Sequence, residues 1–243
     1  MRQFRYLDAL TTAFVVILLV SNLLAQKLIR IGPIGPIPAF STSGAMVLFP
    51  ITYIFGDVFT EIYGYAASRR AIWMGFFGTA LMYAVSAFVI WLPADPEFKS
   101  QAAFVTVFGF LPRILVASLL AFWAGEFANS YTMAKLKLLT EGRWLWTRTV
   151  GSTVVGQAVD TTLVIVITFA GVFSARKLVE IVVVGYLLKV AYEVAATPIT
   201  YLVIGFLKRA EGVDTFDTHT NFNPFDFASA KGATSESTRH SSR

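Results

Sequence analysis

A chain of 243 residues that is 56% hydrophobic and 14% charged, with a mean hydropathy of +0.64, holds more apolar residues than a soluble core of that size can bury, so lipid must cover the excess. It has no cysteine, which excludes disulfides, thiolate metal centres and cysteine nucleophiles, and both histidines, His219 and His240, lie in a polar tail far from any intramembrane chemistry. The net charge of +5 gathers at the ends of apolar runs and is not interleaved with aromatics, so it reads as a topology signal; neither nucleic acid, metal nor cofactor is expected.

A transmembrane helix needs roughly 20 mostly apolar residues. In chain order such spans fall at about 7–27, 43–65, 71–92, 111–133, 149–173 and 178–207, which predicts an all-α integral membrane domain over 1–207. The first span follows Arg2 and Arg5 like a signal peptide, but 22–27 is a poor cleavage site and five spans come after it, so it is expected to be retained. The loop IGPIGPIPAF after it is rich in Gly and Pro and should be extended or turned. A helix begun at Phe104 would carry Arg113 about 15 Å into the bilayer. With Pro112 in the first turn, Arg113 stays at the interface and 104–110 lies on the membrane surface. Ten Lys and Arg residues flank the spans on one side, from Arg2 to Arg209, against five on the other, from Lys27 to Lys177. That asymmetry predicts cytoplasmic N- and C-termini. Residues 208–243 read as a polar cytoplasmic tail, mostly flexible apart from Phe222–Phe225. No internal repeat is visible.

Five spans carry polar residues at helical spacing. The first has Asn22, Gln26 and Lys27; the second has Tyr53, Asp57 and Glu61, each four apart; the fourth has Arg113 at its start, then Glu126 with Asn129; the fifth has Gln157 and Asp160; the sixth has Lys189, Tyr192 and Glu193. At about 2.5–3.5 kcal/mol for each charge at a helix centre, such stripes must face the bundle interior or a water-filled cavity. Their structural alternative is interhelical ion pairs and hydrogen bonds, for which Lys189 with Glu193 is the best case and the amides Asn22, Asn129 and Gln157 are further candidates. Counting depth along the helices puts Asp57, Glu126, Asp160 and Glu193 in one tier near the midplane, with Asn22, Gln26, Lys27 and Arg113 in a second tier toward the outside. A net acidic tier must carry protons, a cation or hydrogen-bond donors, and each of these suits transport.

The runs SNLLAQK (Ser21–Lys27), FPITYIFGDVFTEIYGY (Phe49–Tyr65), PRI (Pro112–Ile114), GQAVDT (Gly156–Thr161) and KVAYEVAATPITY (Lys189–Tyr201) together resemble the queuosine precursor transporter family over nearly the whole chain. The resemblance implies a bacterial inner-membrane importer of 7-cyano-7-deazaguanine, and of its aminomethyl relative, salvaged for the queuosine of tRNA. It also implies a fold similar to the six-helix substrate-binding subunits of energy-coupling-factor vitamin transporters. Carried over position by position, the family's motif residues are Asn22, Lys27, Asp57, Glu61, Arg113, Gln157, Asp160, Lys189 and Glu193. A deazaguanine offers N1–H and an exocyclic amine to one carboxylate, for which Asp57 or Glu193 is the candidate, and a carbonyl to a donor such as Gln157, Asn22 or Lys27. Tyr53, Phe49 or Tyr192 could flank the ring.

The expected function is a solitary secondary carrier, with a homodimer left open. One alternative is a binding subunit served by an energising partner, since Ala9–Ala13 forms a small-xxx-small face like the docking motif of vitamin-transporter subunits. Another is intramembrane aspartyl proteolysis by Asp57 and Asp160, against which a GxGD run would need Gly where Ile54 stands.

Overall fold

The structure, a computed structural model, describes residues 4–33, 40–109 and 112–226. In chain order these form α1 (Leu7–Leu24), the antiparallel strands β1 (Leu28–Ile31) and β2 (Phe40–Ser43), a 3-10 turn (Gly44–Val47), α2 (Phe49–Val58) continued by a π turn (Phe59–Tyr63), α3 (Tyr65–Trp91), α4 (Gln101–Phe108), α5 (Pro112–Leu139), α6 (Leu145–Phe169) and α7 (Ala175–Glu211). The protein is all-α apart from that one hairpin among the described residues.

Four stretches are long and apolar enough to cross a membrane: Leu7–Leu24, Tyr65–Trp91, Gln101–Leu139 (the run that takes in α4 and α5) and Leu145–Phe169. Six were expected. The 43–65 stretch is not one helix, because Gly44 is pressed against the end of α1: its N–H donates to the Lys27 carbonyl at 2.7 Å, and a Cβ there would lie 2.6 Å from the Leu24 carbonyl oxygen. Ser43 then caps the 3-10 turn by accepting from the Ala45 N–H, and α2 starts afresh with Pro50 in its first turn. At the other end the helix widens into the π turn and stops at Gly64, whose φ of 83° few other residues tolerate. The sixth expected span is the 37-residue α7, which carries Pro198 and the charges Lys189 and Glu193 in its interior.

The long helices form a closed ring in which α1 packs on α3, α3 on α5, α5 on α6, α6 on α7, α7 on α2 and α2 on α1. The α5–α6 contact sets the distances inside it. A Cβ on Gly125 would sit 2.7 Å from the Asp160 Cβ, and one on Gly156 would sit 2.7 Å from the Asn129 Cβ, so the two backbones touch only because both positions are glycine. Overpacking of this kind costs about 1–3 kcal/mol. Gly156→Val is therefore expected to lower the melting temperature of the detergent-solubilised protein and to abolish ligand binding. Gly185→Ala, whose Cβ would meet Thr161 at an ordinary 3.5 Å, should behave as wild type.

An apolar cluster of Phe14, Val58, Phe59, Ile62, Tyr63, Ala71, Ile204 and Leu207 fills the ring at the end that bears both termini. Residues 212–226, read from composition as flexible in all but Phe222–Phe225, pack across that same end. The expectation for 227–243 lies outside the described residues.

Candidate functional site

Above the apolar cluster the ring encloses a cavity of about 250 Å³. Its wall takes Phe14, Leu18, Ser21 and Asn22 from α1, Thr52, Tyr53, Gly56 and Asp57 from α2, Phe122, Glu126 and Asn129 from α5, Thr153, Gln157 and Asp160 from α6, and Lys189 from α7. The close α5–α6 crossing is what brings Glu126 and Asn129 beside Gln157 and Asp160. Ala25, Ser43 and Ala45 line it at the hairpin end, where the Ser43 hydroxyl donates to the Ala25 carbonyl at 3.3 Å.

Seven of the thirteen residues expected at a site lie on this wall: Asn22, Tyr53, Asp57, Glu126, Gln157, Asp160 and Lys189. Lys189 donates to Asp160 at 2.5 Å, not to Glu193, so the intrahelical pair expected of it is not formed: α6 offers its carboxylate to the lysine across the cavity. Asn22 is engaged at both ends, its amide donating to the Leu18 carbonyl at 2.9 Å and its oxygen accepting from the Tyr83 hydroxyl at 3.1 Å. Asp57 is 1% exposed, and its Oδ2 has no hydrogen-bond partner; Gln157 Oε1, Asn129 Oδ1 and Ser21 Oγ are likewise buried and unpartnered. Buried polar atoms are seldom left so, and a run of them around one cavity marks a surface built to be completed by a ligand or water. Asn129 was visible in the sequence as the i+3 companion of Glu126 but had no mark separating it from interhelical glue.

The other six lie elsewhere. Gln26 and Lys27 are exposed in the link to β1. Arg113 is exposed and clamps the start of α5 to the end of α6, donating to the carbonyls of Ile167 at 2.5 Å and Ala170 at 2.6 Å. The Tyr192 hydroxyl donates to the Met46 carbonyl at 3.2 Å, and the Phe49 side chain lies outside the described residues. Glu193 is fully buried, near Asp57 but off the cavity wall, with neither oxygen partnered.

Glu61 is set in an ionic knot at the end bearing the termini. Arg148 grips it with two 2.7 Å bonds, Lys208 donates at 2.6 Å, and Lys137 lies 3.5 Å away. Glu61, Arg148 and Lys137 are 0%, 2% and 2% exposed. The three cations carry no apolar-helix signature, because each stands at a helix end where it passes for a topology signal.

The strap 212–226 closes over this knot. Asp214 accepts from Lys137 and, at 2.9 Å, from Lys208. Asp217 accepts from the Tyr65 N–H at 3.0 Å and so caps α3, which has no side-chain cap of its own. Arg69 donates to the carbonyls of Asn221 and Asn223, Trp73 to that of Pro224, and Phe222 lies against Tyr65 and beneath the Lys135 ammonium. Burial pushes the Asp214 carboxyl up, but its bonds to Lys137 and Lys208 outweigh that and hold it below the ordinary carboxylate value. A depressed folded value stabilises the strap above the unfolded carboxylate range, and that contribution fades as the pH falls through it. Limited proteolysis should therefore find the strap protected at neutral pH and cut progressively as the pH drops below about 4. Asp214→Asn should weaken that pH dependence.

Residues 43–203 match the profile of a family described as "Putative vitamin uptake transporter". The chain belongs to that family. Over 157 residues it is also 33% identical to a Bacillus subtilis (strain 168) protein named "Probable queuosine precursor transporter", an alignment covering 64% of this chain and 68% of that one. No solved structure matches it. Family membership and the apolar helices make this vitamin uptake transporter relative a multi-pass membrane transport protein and not an enzyme.

Proposed function

We propose that this protein imports queuosine precursors, 7-cyano-7-deazaguanine and its aminomethyl relative, for tRNA queuosine salvage, as a solitary secondary carrier in the bacterial inner membrane. The single observation that carries this reading is the buried Asp57 carboxylate, with its Oδ2 unpartnered, on a cavity that also presents amides, hydroxyls, aromatic rings and the ionisable Glu126, Asp160 and Lys189. A guanine-type edge presents two parallel N–H donors, which one carboxylate accepts together, while Gln157 and Asn129 supply amide groups for the base carbonyl. Phe14, Phe122 and Tyr53 give the flat ring an apolar slot. The volume of about 250 Å³ is below the range of drug-sized sites, about 300–1,000 Å³, as a bicyclic base requires. Glu126, with the Asp160–Lys189 pair, provides the acidic wall that would receive an aminomethyl cation.

In this reading α2 with its π turn and α7 join the four apolar stretches to make six spans, as in the binding subunits of energy-coupling-factor transporters, with both termini cytoplasmic. Asn22 sets the hairpin end of the site, Gln26, Lys27 and Tyr192 support the hairpin over it, and Arg113 and Glu61 hold the two ends of the bundle. A strain unable to make deazaguanine, fed the precursor and given this gene, should regain queuosine in its tRNA. Failure with correctly inserted protein would overturn the substrate.

A further inference from the structure

Glu193 has no place in the ligand contacts just described, yet it is fully buried on α7 with both carboxylate oxygens unpartnered. The groups that face it make its ionised form costly. From α2 come Asp57 and Tyr53, and from α5 comes Glu126, each close enough for its charge to act on Glu193 or to be acted on by it. The cation one turn away on its own helix, Lys189, bonds to Asp160. Arg148 and Lys208 bond to Glu61. Two buried carboxyl groups this close, neither bonded to a cation, do not both stay ionised: whenever Asp57 carries its charge, Glu193 takes a proton in preference to a second bare charge.

We infer that Glu193 is the binding site of a coupling proton, separate from the base cavity and linked to it through Asp57. This rests on the proposed transport of a deazaguanine base. To accept both donors of the base edge, Asp57 must be ionised; with that charge fixed beside it, Glu193 binds a proton from the outer solution, its carboxylate oxygen forming the O–H bond. Base and proton are then held together. When the base leaves toward the cytoplasm, the O–H bond breaks and the proton follows. Lys189, four residues from Glu193 on the same helix face, is the cation that can swing from Asp160 to neutralise the emptied carboxylate for the return. The base itself crosses chemically unchanged.

The purified protein in liposomes separates the two claims. With the outside one pH unit more acidic and no membrane potential, one proton per neutral base sustains at most about tenfold accumulation, one pH unit being a factor of ten. Wild type should approach that ratio, and Glu193→Gln should hold it at one while still exchanging labelled for unlabelled base. Glu193→Asp, which keeps the carboxyl, should restore part of the accumulation. A Glu193→Gln protein that accumulates like wild type overturns the inference, as does one that loses exchange along with accumulation, or wild-type uptake that follows a sodium gradient and ignores pH. Wild type that neither accumulates nor exchanges the base defeats the substrate assignment instead. The proton site remains testable in that case by infrared spectroscopy of the protein alone: a protonated carboxyl band should be present in wild type at neutral pH and lose intensity in Glu193→Gln, and an unchanged band in Glu193→Gln contradicts the proposal.

Discussion

Glu61→Leu is expected to destabilise the protein by about 3–5 kcal/mol, the range found when one member of a buried ion pair is removed. Its carboxylate is the shared partner of Arg148, Lys208 and Lys137, and without it the two ammonium groups are left with Asp214, which is itself 46% exposed, and the Arg148 guanidinium with the Arg143 carbonyl. The strap would loosen at the same time, since Asp214 and Thr215 are held by the same Lys137 ammonium. Thermal unfolding in detergent would record the loss. Adding Arg148→Met should recover part of it, because an apolar pair of similar volume is often as stable as a buried ion pair. Wild-type stability for Glu61→Leu would show that the knot is solvated and only incidental to closure of that end.

Asp57→Asn is the second large effect, and it should fall on affinity without a fall in stability. Hydrogen bonds to a charged group contribute about 1.5–3 kcal/mol each, so replacing the carboxylate by an amide, which turns one acceptor into a donor aimed at a donor, should weaken base binding from about tenfold to more than a hundredfold. The empty protein gains, if anything, because a buried carboxyl with one unpartnered oxygen becomes a neutral group. Equilibrium binding and thermal unfolding of one preparation separate these outcomes. A variant that binds normally but unfolds early would make Asp57 structural.

Much of this arrangement was legible from residue spacing. Asp57 lies four residues after Tyr53 and so shares its face, and both reach the cavity; Gln157 and Asp160, three apart on α6, do so as well. Spacing could not tell that the same face continues into a π turn and delivers Glu61 to a different environment, where Arg148 and Lys137 reach it from other helices. Nor could it choose between partners for Lys189. Glu193 lies within reach along the helix, but the approach of α5 to α6 at Gly125 and Gly156 brings Asp160 into place and decides the matter. The strap was misread for a related reason: a Ser- and Thr-rich composition reports the lack of a core, whereas residues 214–226 attach through backbone carbonyls and carboxylates that receive Arg69, Trp73 and Lys137. Hydrogen bonding of that kind leaves no hydropathy trace.

The cavity's assignment to a deazaguanine base depends on the Asp57 carboxylate more than on any other group. Its most direct test is uptake of labelled 7-cyano-7-deazaguanine by liposomes containing the purified protein and no other component. Saturable uptake that unlabelled base competes away, and that Asp57→Asn reduces at least tenfold at subsaturating base, is the expected result. Uptake no faster than into empty liposomes by correctly inserted protein, or uptake equal in wild type and Asp57→Asn, would contradict it.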